Sequence, residues 1–148
     1  MAGFDPDHLA RVLLRDMPDA LVVADSAGLI QFWNAGAQRL FGFAPDEALG
    51  QSLDIIIPER LRARHWSGFR ETMRTGRSRY GAGEILSVPA LRKDGARLSV
   101  EFTIVPLHDA AGGMEGIAAI MRDVTARFEQ VRALQKELAA LKSAAAGS

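Results

Sequence analysis

Three short segments with strand character, Glu84 to Leu91, Leu98 to Leu107 and Met114 to Met121, follow one another with only turn sequences between them. The first connection reads Arg92-Lys93-Asp94-Gly95, and an Asp-Gly pair marks a hairpin turn. The second reads Asp109-Ala110-Ala111-Gly112-Gly113, again a sequence that reverses the chain. In the middle segment Val100, Phe102, Ile104 and Pro106 alternate onto one face. These features together specify a three-strand meander in the C-terminal half.

The N-terminal half is punctuated differently. Ala20 to Asp25 is a Val-rich apolar run, Ser26-Ala27-Gly28 interrupts it, and Leu29 to Trp33 alternates imperfectly, so the pair reads as a hairpin. Asn34 suits the N-cap of a helix through Phe41, which puts Ala37, Leu40 and Phe41 on one side, and Gly42 ends it. Pro45-Asp46-Glu47 starts a single turn that Gly50 closes. The apolar stretch Leu53 to Ile57 must stop or turn at Pro58. From Pro58 to about Thr75 the pattern is helical, with Leu61, His65, Phe69 and Met73 at four-residue steps on one stripe. His65 is the only polar member of that stripe.

Both ends read as amphipathic helices. Asp5-Pro6-Asp7 caps a segment with Leu9, Val12, Leu13 and Met17 at helical spacing, until Pro18 interrupts. From Thr125 to about Lys142, Val131, Leu134, Leu138 and Leu141 repeat at the seam spacing of a coiled coil, with Val124 one heptad earlier. About two heptads associate weakly alone in water. The segment therefore reads as the stub of a longer helix or as a homodimer contact. Residues 144–148 read as a frayed, disordered tail.

Composition removes whole classes of function. The chain has no Cys, which excludes disulfides, thiolate zinc sites, thiol nucleophiles and thioether cofactors. Lys plus Arg equals Asp plus Glu at 18 each, so no global field draws it to nucleic acid or an acidic membrane. No apolar run approaches the roughly 20 residues of a spanning helix, and the acidic start does not read as a signal peptide. A cytoplasmic location is expected. No nucleophile elbow or phosphate loop is present, Gly81-Ala82-Gly83 being only a GxG, and no enzyme activity is expected.

The ordered motifs Asp19 to Asp25, Asn34-Ala35-Gly36-Ala37 before Leu40-Phe41-Gly42, Gly50, Arg92-Lys93-Asp94-Gly95 and Arg122-Asp123-Val124-Thr125 resemble a PAS domain of bacterial signalling proteins. The resemblance covers roughly residues 9 to 125. It implies an α+β fold: a five-stranded antiparallel sheet, with short helices and one long helix on one face enclosing a pocket. The implied organisation is an N-terminal helix over 1–18, a sensory domain over 19–125, a coiled-coil signalling helix over 126–143 and the tail. Asp123 and Thr125 can bond backbone where the chain leaves the sheet. A cap is their plain reading, and the resemblance adds signal relay through them to an output domain or partner.

The missing Cys rules out the flavin adduct of light-oxygen-voltage domains and the chromophore link of the photoactive yellow protein family. Haem, non-covalent flavin, a small organic ligand or an empty dimerisation module remain. The stretch Ile57 to His65 is similar to the helix start of haem-containing PAS oxygen sensors, which implies haem b with His65 as iron ligand and a diatomic gas as signal. A satisfied core histidine is the plain alternative. Under the haem reading Arg62 and Arg64 pair with propionates, and the apolar wall comes from Leu61, Phe69, Leu86, Val88, Phe102, Ile104, Ile117 and Ala119. The Arg that such oxygen sensors carry falls on Leu86 here, so carbon monoxide or nitric oxide is expected over oxygen unless Trp33 or Tyr80 supplies a donor. Trp66 is expected over the pocket mouth, in core packing or at a partner surface, ahead of stacking on a cofactor.

Overall fold

The computed structural model describes residues 3–77 and 83–147. In chain order it holds α1 (Pro6–Asp16), β1 (Ala20–Asp25), β2 (Ile30–Trp33), α2 (Ala35–Phe41), α3 (Pro45–Ala48), a 3-10 helix (Leu53–Ile56), α4 (Glu59–Thr75), β3 (Leu86–Leu91), β4 (Arg97–His108), β5 (Met114–Asp123) and α5 (Thr125–Ala146). The five strands form one antiparallel sheet in the order β2-β1-β5-β4-β3, so the chain's last strand lies at its centre. The expected hairpin, meander and long helix are all present. Gly28 at φ +80° and Gly95 at φ +84° occupy the left-handed region that their turns demand.

Register decides which face is roofed. Residues directly opposite in an antiparallel ladder share a face, and one row runs Ala20, Met121, Phe102, Leu86 across four strands. The next runs Val22, Ala119, Ile104, and the next begins Ala24, Ile117. α4 crosses above these rows, with Phe69 and Thr72 buried. The rows carry Ala at three positions where larger side chains would fill the space, which leaves room between sheet and helix.

The packed core lies toward the β2 end, where Ile30, Ala37 and Phe41 are fully buried beside Trp33. Trp33 and Phe41 meet at 5.5 Å between ring centroids. Asn34 joins this core to the sheet. Its Oδ1 accepts from the Leu21 N–H at 2.8 Å and the Ala37 N–H at 2.9 Å, while Nδ2 donates to the Asp19 carbonyl at 3.0 Å. A Cβ on Gly36 would lie 2.2 Å from that same carbonyl oxygen, so α2 can press this close to β1 only with glycine there.

Neither α1 nor α5 buries a residue. α5 continues to Ala146, so residues 144–146 of the expected tail are helix, because alanine favours helix and nothing before Gly147 interrupts it. The sheet's outer strands are the four-residue β2 and the six-residue β3, which carries Pro89. Among the described residues no helix is long and apolar enough to cross a membrane.

Candidate functional site

Between the roofed face of the sheet and α4 lies a cavity of about 500 Å³. That is within the ~300–1,000 Å³ of sites that take small molecules or cofactors. Leu61, Phe69, Leu86, Val88, Phe102, Ile104, Ile117 and Ala119 all line it, joined by Arg64 and His65. Strand alternation and the four-residue helical step each fix a face, which is why these side chains converge on the cavity. Sequence reasoning missed Val22 and Ala24 of β1, Leu53, Ile56 and Ile57 around the 3-10 helix, and Thr72, Val100 and Met121. The β1 members arrive through pairing with β5, a contact between distant segments that no local signal announces.

Arg62 departs from expectation. It does not line the cavity: its Nε donates to the Ile57 carbonyl at 3.1 Å and its Nη2 to the Asp54 carbonyl at 3.2 Å. The guanidinium is held at the end of the 3-10 helix, where the Ile57 carbonyl has no backbone donor among the described residues and the Asp54 carbonyl, which already accepts the Ile57 N–H at 3.1 Å, takes Arg62 as a second donor. Trp33 also departs, since its Nε1 donates to the Phe43 carbonyl at 2.9 Å and the side chain lies outside the cavity wall. Tyr80 lies outside the described residues. Trp66 seats on the β1–β2 turn instead of covering a mouth.

His65 is the one imidazole on the cavity wall, and its Nδ1 is buried with no hydrogen-bond partner among the described residues. Its ring meets Trp66 edge-on at 4.7 Å and lies tilted against Phe69 at 6.0 Å. Burial pushes its pKa below the usual histidine value, with the Asp54 carboxylate pulling the other way. The ring is therefore neutral near pH 7, the form that ligates metals. Thr72 is also buried, and its hydroxyl is committed to the Gly68 carbonyl at 3.0 Å.

A lowered folded-state pKa means that the unfolded chain takes up the His65 proton first as pH falls. The stability held above the unfolded value of about 6.5 is then lost as pH drops from there through the folded pKa. A denaturation midpoint lower at about pH 5.5 than at about pH 7.5 is expected, and His65→Leu should flatten that slope. An unchanged slope in the variant would assign the effect to another group.

At the far end of β5 the exit to α5 is tied down. The Val124 N–H donates to the Ser99 carbonyl at 2.9 Å, and the Thr125 hydroxyl accepts from the Ser99 N–H at 3.0 Å. The Asp123 carboxylate accepts from the Thr125 N–H at 2.9 Å. Arg122 reaches Asp19 at 2.8 Å, and Arg127 reaches Glu101 at 3.1 Å. Asp123 and Thr125 thus fasten the start of α5 to β4.

A five-stranded sheet of this order, roofed by short helices and one long helix over a cavity, defines a PAS domain. The family model for the PAS fold matches residues 14–129, and the chain belongs to that family. It is 35% identical over 132 residues to Sensor protein FixL of Bradyrhizobium diazoefficiens, a match covering 88% of this chain and 25% of FixL. It is 29% identical over 108 residues to the Oxygen sensor protein DosP of Escherichia coli, covering 71% of this chain and 13% of DosP. The chain thus spans a quarter or less of these two relatives. Among solved structures, the PAS domain of a Colwellia psychrerythraea protein superposes with a TM-score of 0.71 at 25% identity, covering 82% of this chain and 98% of that one. The PAS domain of Bordetella pertussis BvgS shares the fold, with a TM-score of 0.63 at 21% identity, covering 93% of this chain and 99% of that one. This is a PAS sensory domain similar to FixL and DosP.

Proposed function

We propose that this domain binds haem b in its cavity, senses a diatomic gas, and passes the change through Asp123 and Thr125 to α5 and an output domain or partner in the cytoplasm. One observation carries the reading: a neutral imidazole on a largely apolar wall, with a buried Nδ1 that no described group satisfies. Buried polar atoms without partners are rare and call for an explanation, and haem iron is commonly held by one histidine. The likeness to an oxygen sensor protein supports the same class of signal.

In this reading His65 holds the iron, and Arg64, at the cavity edge with its side chain in solvent, faces the propionates. Haem supplies an open iron coordination position for a gas. The sheet wall of Leu86, Val88, Phe102, Ile104 and Ile117 excludes water, and these side chains offer no hydrogen-bond donor, which favours carbon monoxide or nitric oxide over oxygen. Haem titration of the purified chain, followed by absorption spectroscopy, tests the proposal. A Soret band lost in His65→Ala is expected. A blank spectrum after reconstitution would overturn it, and a bound-flavin spectrum would replace haem with flavin.

A pairing role stands beside the sensory one. On α5, Val131 is 47% exposed, Leu134 64%, Leu138 52% and Leu141 63%, an apolar seam with no cover in the single chain. That exposure favours a homodimer through the terminal helices.

A further inference from the structure

Among the described residues no carboxylate or carbonyl accepts a hydrogen bond from the His65 ring, the contact that usually orients a ligating histidine. Its neighbour Trp66 is held from three sides. The indole Nε1 donates to Asp54 Oδ1 at 2.7 Å. Its six-membered ring fills the notch at Gly28, where a Cβ would stand 2.3 Å from two ring carbons. Phe69, one turn further along α4, meets it edge-on at 5.2 Å. Asp54 is in turn steadied by Arg62, whose guanidinium lies 3.9 Å from the same Oδ1 and bonds the Asp54 carbonyl.

We propose that Trp66, clamped by Asp54 and seated over Gly28, is the positioning residue for His65, fixing the imidazole by ring packing where no described group gives it a hydrogen bond. The His65 ring stands edge-on to Trp66 with centroids 4.7 Å apart and tilted beside Phe69 with centroids 6.0 Å apart, and Trp66 and Phe69 stand edge-on to each other. Two walls at that angle leave the imidazole little room to rotate about χ2. Trp66 itself lies outside the cavity wall, so it acts only through its neighbour. The arrangement ties the orientation of His65 to the 3-10 helix and to the β1–β2 turn, neither of which is adjacent to it in sequence.

The bracket is a property of the chain alone, and its bearing on cofactor affinity rests on the haem reading above, so two measurements separate them. The first is carbon-13 relaxation of the His65 ring in the chain without haem, in wild type, Trp66→Leu and Trp66→Phe. Ring order is expected to be high in wild type, to fall in Trp66→Leu and to be largely restored in Trp66→Phe. Equal order in wild type and Trp66→Leu overturns the proposal. If Trp66→Leu does not fold, Asp54→Ala frees the indole with the ring still present, and unchanged His65 order there overturns the proposal equally. The second is haem titration, in which Trp66→Leu should weaken binding by about 10- to 100-fold, the range typical of losing a ligand's orienting partner. Wild-type protein that takes up no haem but shows the expected relaxation pattern removes the haem reading and leaves the bracket standing. Haem bound with equal affinity by wild type and Trp66→Leu overturns the bracket's role in binding.

Discussion

Asn34→Ala will lower the stability of the domain by about 3–5 kcal/mol, read from the shift of the chemical denaturation midpoint at constant slope. Asn34 is 3% exposed and serves two elements at once. Alanine removes the N-cap of α2, worth about 1 kcal/mol. It also leaves the Leu21 N–H without the acceptor it now has at 2.8 Å, in a residue that is 4% exposed, and strands the Asp19 carbonyl. Each buried group orphaned in this way costs roughly 1–3 kcal/mol. Water reaches poorly here, because α2 sits so close to β1 that only glycine fits at position 36. A loss below about 1 kcal/mol would show that Asn34 acts as a simple cap and that the tie to β1 contributes nothing.

The second large effect concerns association. Leu134→Arg together with Leu138→Arg is expected to yield a monomer by light scattering, the unaltered chain being expected to run as a dimer. Each of these leucines is more than half exposed in the single chain. Burying one fully is worth about 1.5–3 kcal/mol, so losing two while setting like charges across the seam should weaken pairing by at least about a hundredfold. A dimer that survives both substitutions would move the contact elsewhere, most directly to α1, where Leu9, Leu13 and Leu14 are also exposed.

Asn34 also shows how far the sequence carries. Its capping role was legible, since an Asn before an apolar helix has a local signature, whereas the bond to Leu21 depends on where β1 falls in space. The same division runs through the cavity. Phe102, Ile104, Ile117 and Ala119 were placed on its wall because alternation along a strand needs no tertiary knowledge. Val22 and Ala24 join them through the β1–β5 ladder, which only the folded topology reveals. Arg62 was misplaced for a related reason. Helical spacing sets where its Cα lies, but the Ile57 and Asp54 carbonyls at the end of the 3-10 helix decide where its long side chain goes. Core packing was among the places open to Trp66, and it does pack against the core, but its particular partners, Gly28 and Asp54, sit 38 and 12 positions earlier in the chain and are fixed only by the fold.

Pro89 and the brevity of β2 bear on crowding inside a cell. A sheet's rim with free amides invites strands from other molecules, and proteins blunt such rims with proline or with very short strands. Here one rim carries the proline and the other is only four residues long. Copies of this domain brought to high local concentration are thus poor seeds for fibrils.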